Sequence, residues 1–266
     1  MREEQKRIAG VDVVLTWPSR TQNTAVSKLA QVLPPTTKGV TFLLPGAMVN
    51  ISEYTSLRDI ILQQDHLVVS MYMNVLWPFR NNHRTHAHNV KKVFDELTTL
   101  YTTADNCQLD ASCKSYSLVG HSVGGKVALL VAATIDPNRV SAVLALDPVD
   151  MNPIEFTTQV KADSSNDKKK GRSNLSLITA GGTKTIFITC TKGGRGIPVA
   201  HNANAIHEFH PTATTLYEHN DAGHMAYCDH GGGMAGRIMP DVGTTDANQQ
   251  ARVAAHELIR QILNAE

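Results

Sequence analysis

The chain has 266 residues, 42% of them hydrophobic and 18% charged, and its formal net charge is +1. This length and apolar fraction suit one globular domain with a large core. The near balance of charge argues against proteins that bind nucleic acid or anionic membranes. The chain has no run of about 18 apolar residues that would cross a bilayer, and residues 1–7 are too polar for a secretory signal.

Strand-like and helix-like segments alternate along the chain. Strands are predicted at 11–17 and 39–44, a helix at 52–64, a strand at 66–72 and a helix at 87–101. A strand at 116–119, a helix at 126–133, strands at 140–146, 185–191 and 214–218, and a helix at 251–263 follow. This order predicts a mainly parallel sheet covered by helices on both faces. We expect a single domain over residues 1–266, in which the polar segment 161–176 is a mobile surface loop.

Residues 120–124, Gly-His-Ser-Val-Gly, lie where an apolar strand is followed at once by a helix. A serine at such a junction sits on a tight bend, and the flanking glycines remove β-carbons that would clash there. This is the G-x-S-x-G nucleophile elbow. The motif predicts Ser122 as a nucleophile, with the positive end of the next helix directed at the position of an oxyanion.

A serine nucleophile needs a base, and the base needs a third group that orients it. In this motif class the chain order is serine, acid, histidine. No carboxylate lies between residues 184 and 207, so the acid is not expected after the strand 185–191. We predict Asp147, directly after the strand 140–146, where catalytic groups of open α/β sheets gather, with Asp150 as the alternative.

The base is predicted in the loop after the last strand. His224 follows a glycine there and is our choice, whereas His219 is expected within the strand and His230 opens a run of glycines. An oxyanion hole needs two backbone N–H groups, one from the residue after the nucleophile and one from an early loop. Val123 and Ala47 occupy those positions.

Three segments, GHSVGGKVALLVA, SAVLALDPVD and DAGHMAYCD, resemble chlorophyllases, the esterases that split the phytyl ester of chlorophyll. The similarity spans about residues 40–230. It implies an α/β-hydrolase fold, an acid in the D-P-V segment and a location in the chloroplast. The hydrolysis that it implies needs neither a metal nor a redox cofactor.

The sequence also departs from the chlorophyllase pattern. Val123 stands where the family has arginine, residues 45–47 are Pro-Gly-Ala instead of His-Gly and a bulky residue, and residues 225–227 are Met-Ala-Tyr. These changes leave Ser122, Asp147 and His224 in place and suit a divergent, algal-type member. The departures bear on the identity of the substrate and on the rate of its hydrolysis.

The expected substrate is an apolar ester, reached with peripheral contact to a membrane. Five side chains near the predicted strand ends are expected to line a wide apolar mouth: Met48, Val49, Trp77, Phe79 and Met225. Two other functions stay open, a broad esterase or lipase-like hydrolase of the same fold and a pigment-binding protein without turnover.

Two further groups of residues have the composition of a possible site. His83, His86 and His88 are interpreted as part of an exposed polar loop, with a metal site or axial contact to a porphyrin magnesium as the alternatives. Cys107 and Cys113 would form a disulfide only in an oxidising compartment and are otherwise free thiols.

Overall fold

The computed structural model describes residues 2–18, 37–73, 83–102, 114–151, 154–157, 185–192, 202–238 and 240–264. Within them, the strands are β1 (Arg2–Ile8), β2 (Val11–Trp17), β3 (Gly39–Leu44), β4 (His66–Met71), β5 (Tyr116–His121), β6 (Val140–Leu146), β7 (Thr185–Thr191) and β8 (Thr215–His219). They form one eight-stranded sheet in the order β1-β2-β4-β3-β5-β6-β7-β8.

The sheet is parallel from β4 to β8, and β1 and β2 add an antiparallel edge. Every residue of β3, β4 and β5 is buried. Parallel strands covered on both faces have such continuous apolar sequences. The predicted α/β class with a mainly parallel sheet is confirmed.

The helices are α1 (Thr55–Gln63), α2 (His83–Thr102), α3 (Val123–Leu130), α4 (Ala203–Phe209), α5 (Gly233–Ile238) and α6 (Thr245–Asn264). Apolar side chains of α2, α3 and α4 share one core cluster with the sheet. Those of α1 and α6 belong to a second cluster. The two clusters are the cores between the sheet and its two helical layers.

The strand β1 was not predicted from the sequence. Its residues pair with β2 from Arg2↔Trp17 to Ile8↔Val11, across a turn in which Ala9 and Gly10 have positive φ angles. Because an edge strand keeps one side toward solvent, charged residues are tolerated there and protect the edge from pairing with other chains. Because of these charged residues, the sequence pattern did not indicate a strand at β1. The strand predicted to open the chain, 11–17, is the second strand, β2.

The helices also differ from the sequence-based predictions. The helices α4 and α5 were missed because seven and six residues are too few for a clear helical period. The helix α3 begins at Val123, directly after the elbow, and α6 begins at Thr245. The helix α2 begins at His83, four residues earlier than predicted, and so includes the histidine cluster.

Several predictions lie outside the described residues: the surface loop 161–176, the side chains of Trp77 and Phe79, and the pair Cys107 and Cys113. The single-domain prediction over residues 1–266 also stays a prediction. Among the helices that the structure describes, none has the length and apolar character needed to cross a bilayer.

Candidate active site

The predicted site residues follow strands that end at the same edge of the sheet. Ser122 follows β5, Asp147 follows β6, and the oxyanion loop, defined here as residues 45–49, follows β3. His224 lies five residues after the end of β8. Since parallel strands present their carboxyl ends at one edge, the topology gathers these residues where open α/β sheets bind ligands.

Ser122 has φ 55° and ψ −120°, a backbone conformation that L-residues rarely adopt. The flanking glycines make the bend possible. A β-carbon on Gly120 would collide with the carbonyl of Gly124, and one on Gly124 would collide with the carbonyl of Leu44. The elbow predicted from the sequence thus has the expected geometry, in which β5, the bend and α3 are in close backbone contact.

Backbone strain is concentrated at this edge of the sheet. Of the five non-glycine residues with positive φ in the described part of the chain, Met48, Ser122 and Asp147 lie here, with φ of 59°, 55° and 43°. Such conformations cost about 1–3 kcal/mol each and cluster at functional sites, because the surrounding structure must enforce them. The strain at Met48 and Asp147, which lie outside the G-x-S-x-G motif, is a second observation that places a functional site at this edge.

Asp147 is bonded directly to His224. Its Oδ2 lies 2.6 Å from His224 Nδ1 and 2.6 Å from the hydroxyl of Thr191, and its Oδ1 accepts the backbone N–H of Thr191 at 3.2 Å. Although burial opposes ionisation, the hydrogen bond and charge of His224, with the bonds from Thr191, lower the pKa of Asp147 below its usual range. The carboxyl group is therefore held as a carboxylate.

His224 begins a short 3₁₀ helix, His224–Tyr227, and is buried. Because Nδ1–H donates to Asp147, the neutral ring carries its lone pair on Nε2, the atom that a general base uses. The segment before it is tied to α6, since Gly223 N–H donates to Asn248 Oδ1 at 2.8 Å. Arg252 Nε donates to the carbonyl of Ala226 at 3.1 Å.

The alternative acid is engaged elsewhere, and the alternative bases lie at other positions in the fold. Asp150 is completely buried, lies 3.1 Å from Lys126 Nζ and accepts the backbone N–H of Phe156 at 2.7 Å. His219 ends β8, as predicted, and the backbone N–H of His230 donates to the side chain of Glu53. The structure therefore pairs Asp147 with His224 and gives Asp150 a structural role.

Thr191 was not singled out from the sequence, although both its N–H and its hydroxyl hold Asp147. A signal was present: β6 and β7 are consecutive parallel strands, and Leu146 pairs with Thr189. Thr191 lies two residues beyond Thr189, and Asp147 directly follows Leu146. The register therefore brings the Thr191 hydroxyl close to Asp147. Strand register, not motif, would have identified it.

The two predicted oxyanion donors come from the elbow and from the oxyanion loop. Val123 is the first residue of α3, where a backbone N–H has no acceptor within its own helix. In the oxyanion loop, the carbonyl of Gly46 accepts Val49 N–H at 3.3 Å. Because a trans peptide places its C=O and N–H on opposite sides, the N–H of Ala47 is directed away from this turn.

The predicted substrate-lining residues are only partly placed where expected. Met48 is half-buried, whereas Val49 and Met225 are buried in the second core cluster, so we do not assign these two to an open substrate surface. Met225 lines a cavity of about 660 Å³ between the 3₁₀ helix and α6. Ser122, Asp147 and His224 are not among the residues that line it.

The interpretation of the histidine cluster as an exposed polar loop is wrong, because all three residues lie in α2 and two of them are buried. His83 and His86 are buried because they continue the apolar face of α2, which includes Ala87, Val90 and Phe94, toward its start. His88 is exposed. Burial lowers the pKa of His83 to about 4. The described residues contain no group of three or more His, Cys, Asp or Glu side chains suited to a metal ion.

A family model described as Chlorophyllase matches residues 5–164, more than half of the chain. The chain belongs to the chlorophyllase family. It is thus an ester hydrolase of the α/β-hydrolase type. The matched segment of this family member includes Ser122 and Asp147 but ends before His224, whose pairing with Asp147 is seen only in the structure.

Among solved structures, the chain is similar to TT1662 from Thermus thermophilus, with a TM-score of 0.56, 14% sequence identity and 100% coverage of both chains. At this level of identity the similarity supports the fold alone. A search of curated protein sequences gave no match.

Proposed function

We propose that this family member is a serine hydrolase that cleaves the phytyl ester of chlorophyll to chlorophyllide and phytol. One observation carries the proposal: the 2.6 Å bond between Asp147 and His224 lies at the sheet edge where Ser122 occupies a strained elbow. Its membership of the chlorophyllase family supports the choice of substrate.

In the proposed reaction, His224 Nε2 takes the proton of the Ser122 hydroxyl as the oxygen attacks the propionate ester carbonyl. The N–H groups of Val123 and Ala47 stabilise the resulting oxyanion. The bond to the phytyl oxygen then breaks, and His224 returns the proton to release phytol. Water, deprotonated by His224, then attacks the acyl group on Ser122. The acyl–oxygen bond breaks, His224 returns the proton to the Ser122 oxygen, and chlorophyllide is freed. Asp147 holds the imidazole in the required tautomer throughout.

Exposed apolar side chains after β4 and on α5 support a large apolar substrate. Tyr72, 45% exposed, directly follows β4, whose carboxyl end lies beside that of β3. Met234 and Ile238, exposed on α5, are four residues apart and so share one face of that helix. Burial of apolar surface contributes about 25 cal/mol per Å². We propose that these side chains contact the pigment or its membrane, in the chloroplast.

The test is product analysis with purified protein and chlorophyll a in detergent. We expect chlorophyllide a and phytol in equal amounts, and neither product from Ser122→Ala. A short p-nitrophenyl ester is assayed in parallel. If the protein cleaves the short ester but leaves chlorophyll and pheophytin intact, a general esterase is the correct description. Binding of chlorophyll without cleavage of either substrate would identify a pigment-binding protein.

A further inference from the structure

A buried chain of hydrogen bonds connects the oxyanion loop to the base. The backbone N–H of Gly46 lies 2.9 Å from Tyr54 Oη, and this oxygen lies 2.7 Å from His121 Nδ1. His121 Nε2 in turn lies 2.8 Å from the backbone carbonyl of His224. Both side chains are buried, so water does not compete for these bonds.

The chemistry of the four groups fixes the direction of each bond. A carbonyl oxygen only accepts, so His121 Nε2 carries a hydrogen and donates to His224. Burial and the neighbouring His224 lower the pKa of His121 to about 3, so its ring is neutral and Nδ1 accepts. Tyr54 therefore donates to Nδ1, and its oxygen accepts the N–H of Gly46. Each of these three hydrogen bonds satisfies buried polar groups.

The chain of bonds passes beside the nucleophile. His121 is the residue before Ser122, and its ring centroid lies 4.8 Å from that of His224. Gly46 faces the same point, because a β-carbon on it would lie 3.1 Å from His121 Nδ1 and 3.3 Å from Ser122 Cβ. A displacement of the Tyr54 hydroxyl would thus reach the oxyanion loop and the base together.

We propose that Tyr54 and His121 are positioning residues for ester hydrolysis: their hydrogen bonds orient the Pro45–Gly46 peptide, which directly precedes the oxyanion donor Ala47, and the backbone carbonyl of His224. The proposal rests on the proposed serine-hydrolase function but not on chlorophyll as the substrate. Apolar side chains of the same size would fill the space without fixing these orientations.

Tyr54→Phe removes the hydroxyl and leaves the N–H of Gly46 and Nδ1 of His121 without a partner. With a short p-nitrophenyl ester, we expect kcat per active site to fall about 10- to 100-fold, because small misplacements at a reacting centre cost factors of this size. KM should change less than about threefold, since binding of the ester is not the affected step. Active sites are counted by titration with a fluorophosphonate, so unfolded protein does not contribute.

Tyr116→Phe is the matched control. Tyr116 is also buried, and its hydroxyl donates to Asp136 at 3.1 Å, but it begins β5, at the opposite end of the strand from the elbow. Both variants should lower the melting temperature, and only Tyr54→Phe should lower kcat. Equal kcat in Tyr54→Phe, Tyr116→Phe and the wild type would overturn the proposal.

A pair of variants at His121 tests the same idea if Tyr54→Phe does not fold. His121→Gln keeps an N–H donor near the position of Nε2, whereas His121→Leu has none. We expect the glutamine variant to retain at least about tenfold more kcat per titrated site. Equal rates in the two variants would contradict the proposal. Activity in Ser122→Ala would instead refute the serine-hydrolase function itself, so the two failures are distinguishable.

Discussion

Replacing Ser122 by alanine is expected to lower kcat for ester hydrolysis by about 10³-fold or more, the size of effect typical of a catalytic-triad member. The change removes one hydroxyl from a residue that is 9% exposed and makes no capping bond to α3, so the fold should persist. Initial rates with a p-nitrophenyl ester measure the loss, and circular dichroism confirms the fold.

Ser117→Ala is a suitable control for Ser122→Ala. Ser117 lies on the same strand, is buried and contacts the hydroxyl of Ser141 at 3.0 Å, away from the elbow. Its replacement should leave kcat within about twofold of the wild type. Near-wild-type turnover by folded Ser122→Ala would end the assignment of Ser122 as the nucleophile.

Asp147→Asn is expected to lower kcat by about 10⁴-fold, because the side-chain amide would orient the imidazole in the wrong tautomer. In the wild type, Asp147 Oδ2 accepts from His224 Nδ1 and from the Thr191 hydroxyl, both at 2.6 Å. An amide nitrogen in that position donates instead, so Nδ1 must accept and the hydrogen moves to Nε2. The ring then has no lone pair with which to take the serine proton.

Asp150→Asn separates the two acid candidates. Asp150 lies 3.1 Å from the buried ammonium of Lys126, so its neutralisation leaves that charge without its partner carboxylate. Breaking a buried ion pair costs about 3–5 kcal/mol of stability. We expect a lower free energy of unfolding in urea but unchanged kcat per titrated active site. A large loss of kcat for Asp150→Asn with little loss for Asp147→Asn would place the acid at residue 150.

The parts of the fold that could be predicted are those with a clear local pattern of apolar residues in the sequence. The continuous apolar sequence of β3 and β6 reflects burial on both faces, and it gave their bounds correctly. Ser122 and Asp147 followed from their positions directly after such strands. The strand β1 could not be predicted, because a strand at an exposed edge does not require apolar residues.

The contacts that could not be predicted join residues far apart in the chain. Tyr54 and His121 are separated by 67 residues, and His121 and His224 by 103. Neither contact leaves a local signature, because Tyr54 lies within the predicted helix 52–64 and belongs to no recognisable motif. His83 illustrates the opposite error, since its polarity suggested a loop although its spacing from Ala87 and Val90 matches the buried face of α2.

The most direct test of the account is to identify the residue that a fluorophosphonate modifies. We expect one equivalent of reagent to be incorporated, with loss of esterase activity in proportion, and peptide mass mapping to locate the adduct on Ser122. The reagent should leave Ser122→Ala unlabelled. An adduct on another residue, or full esterase activity after complete labelling of Ser122, would contradict the assignment of Ser122, Asp147 and His224 as the catalytic residues.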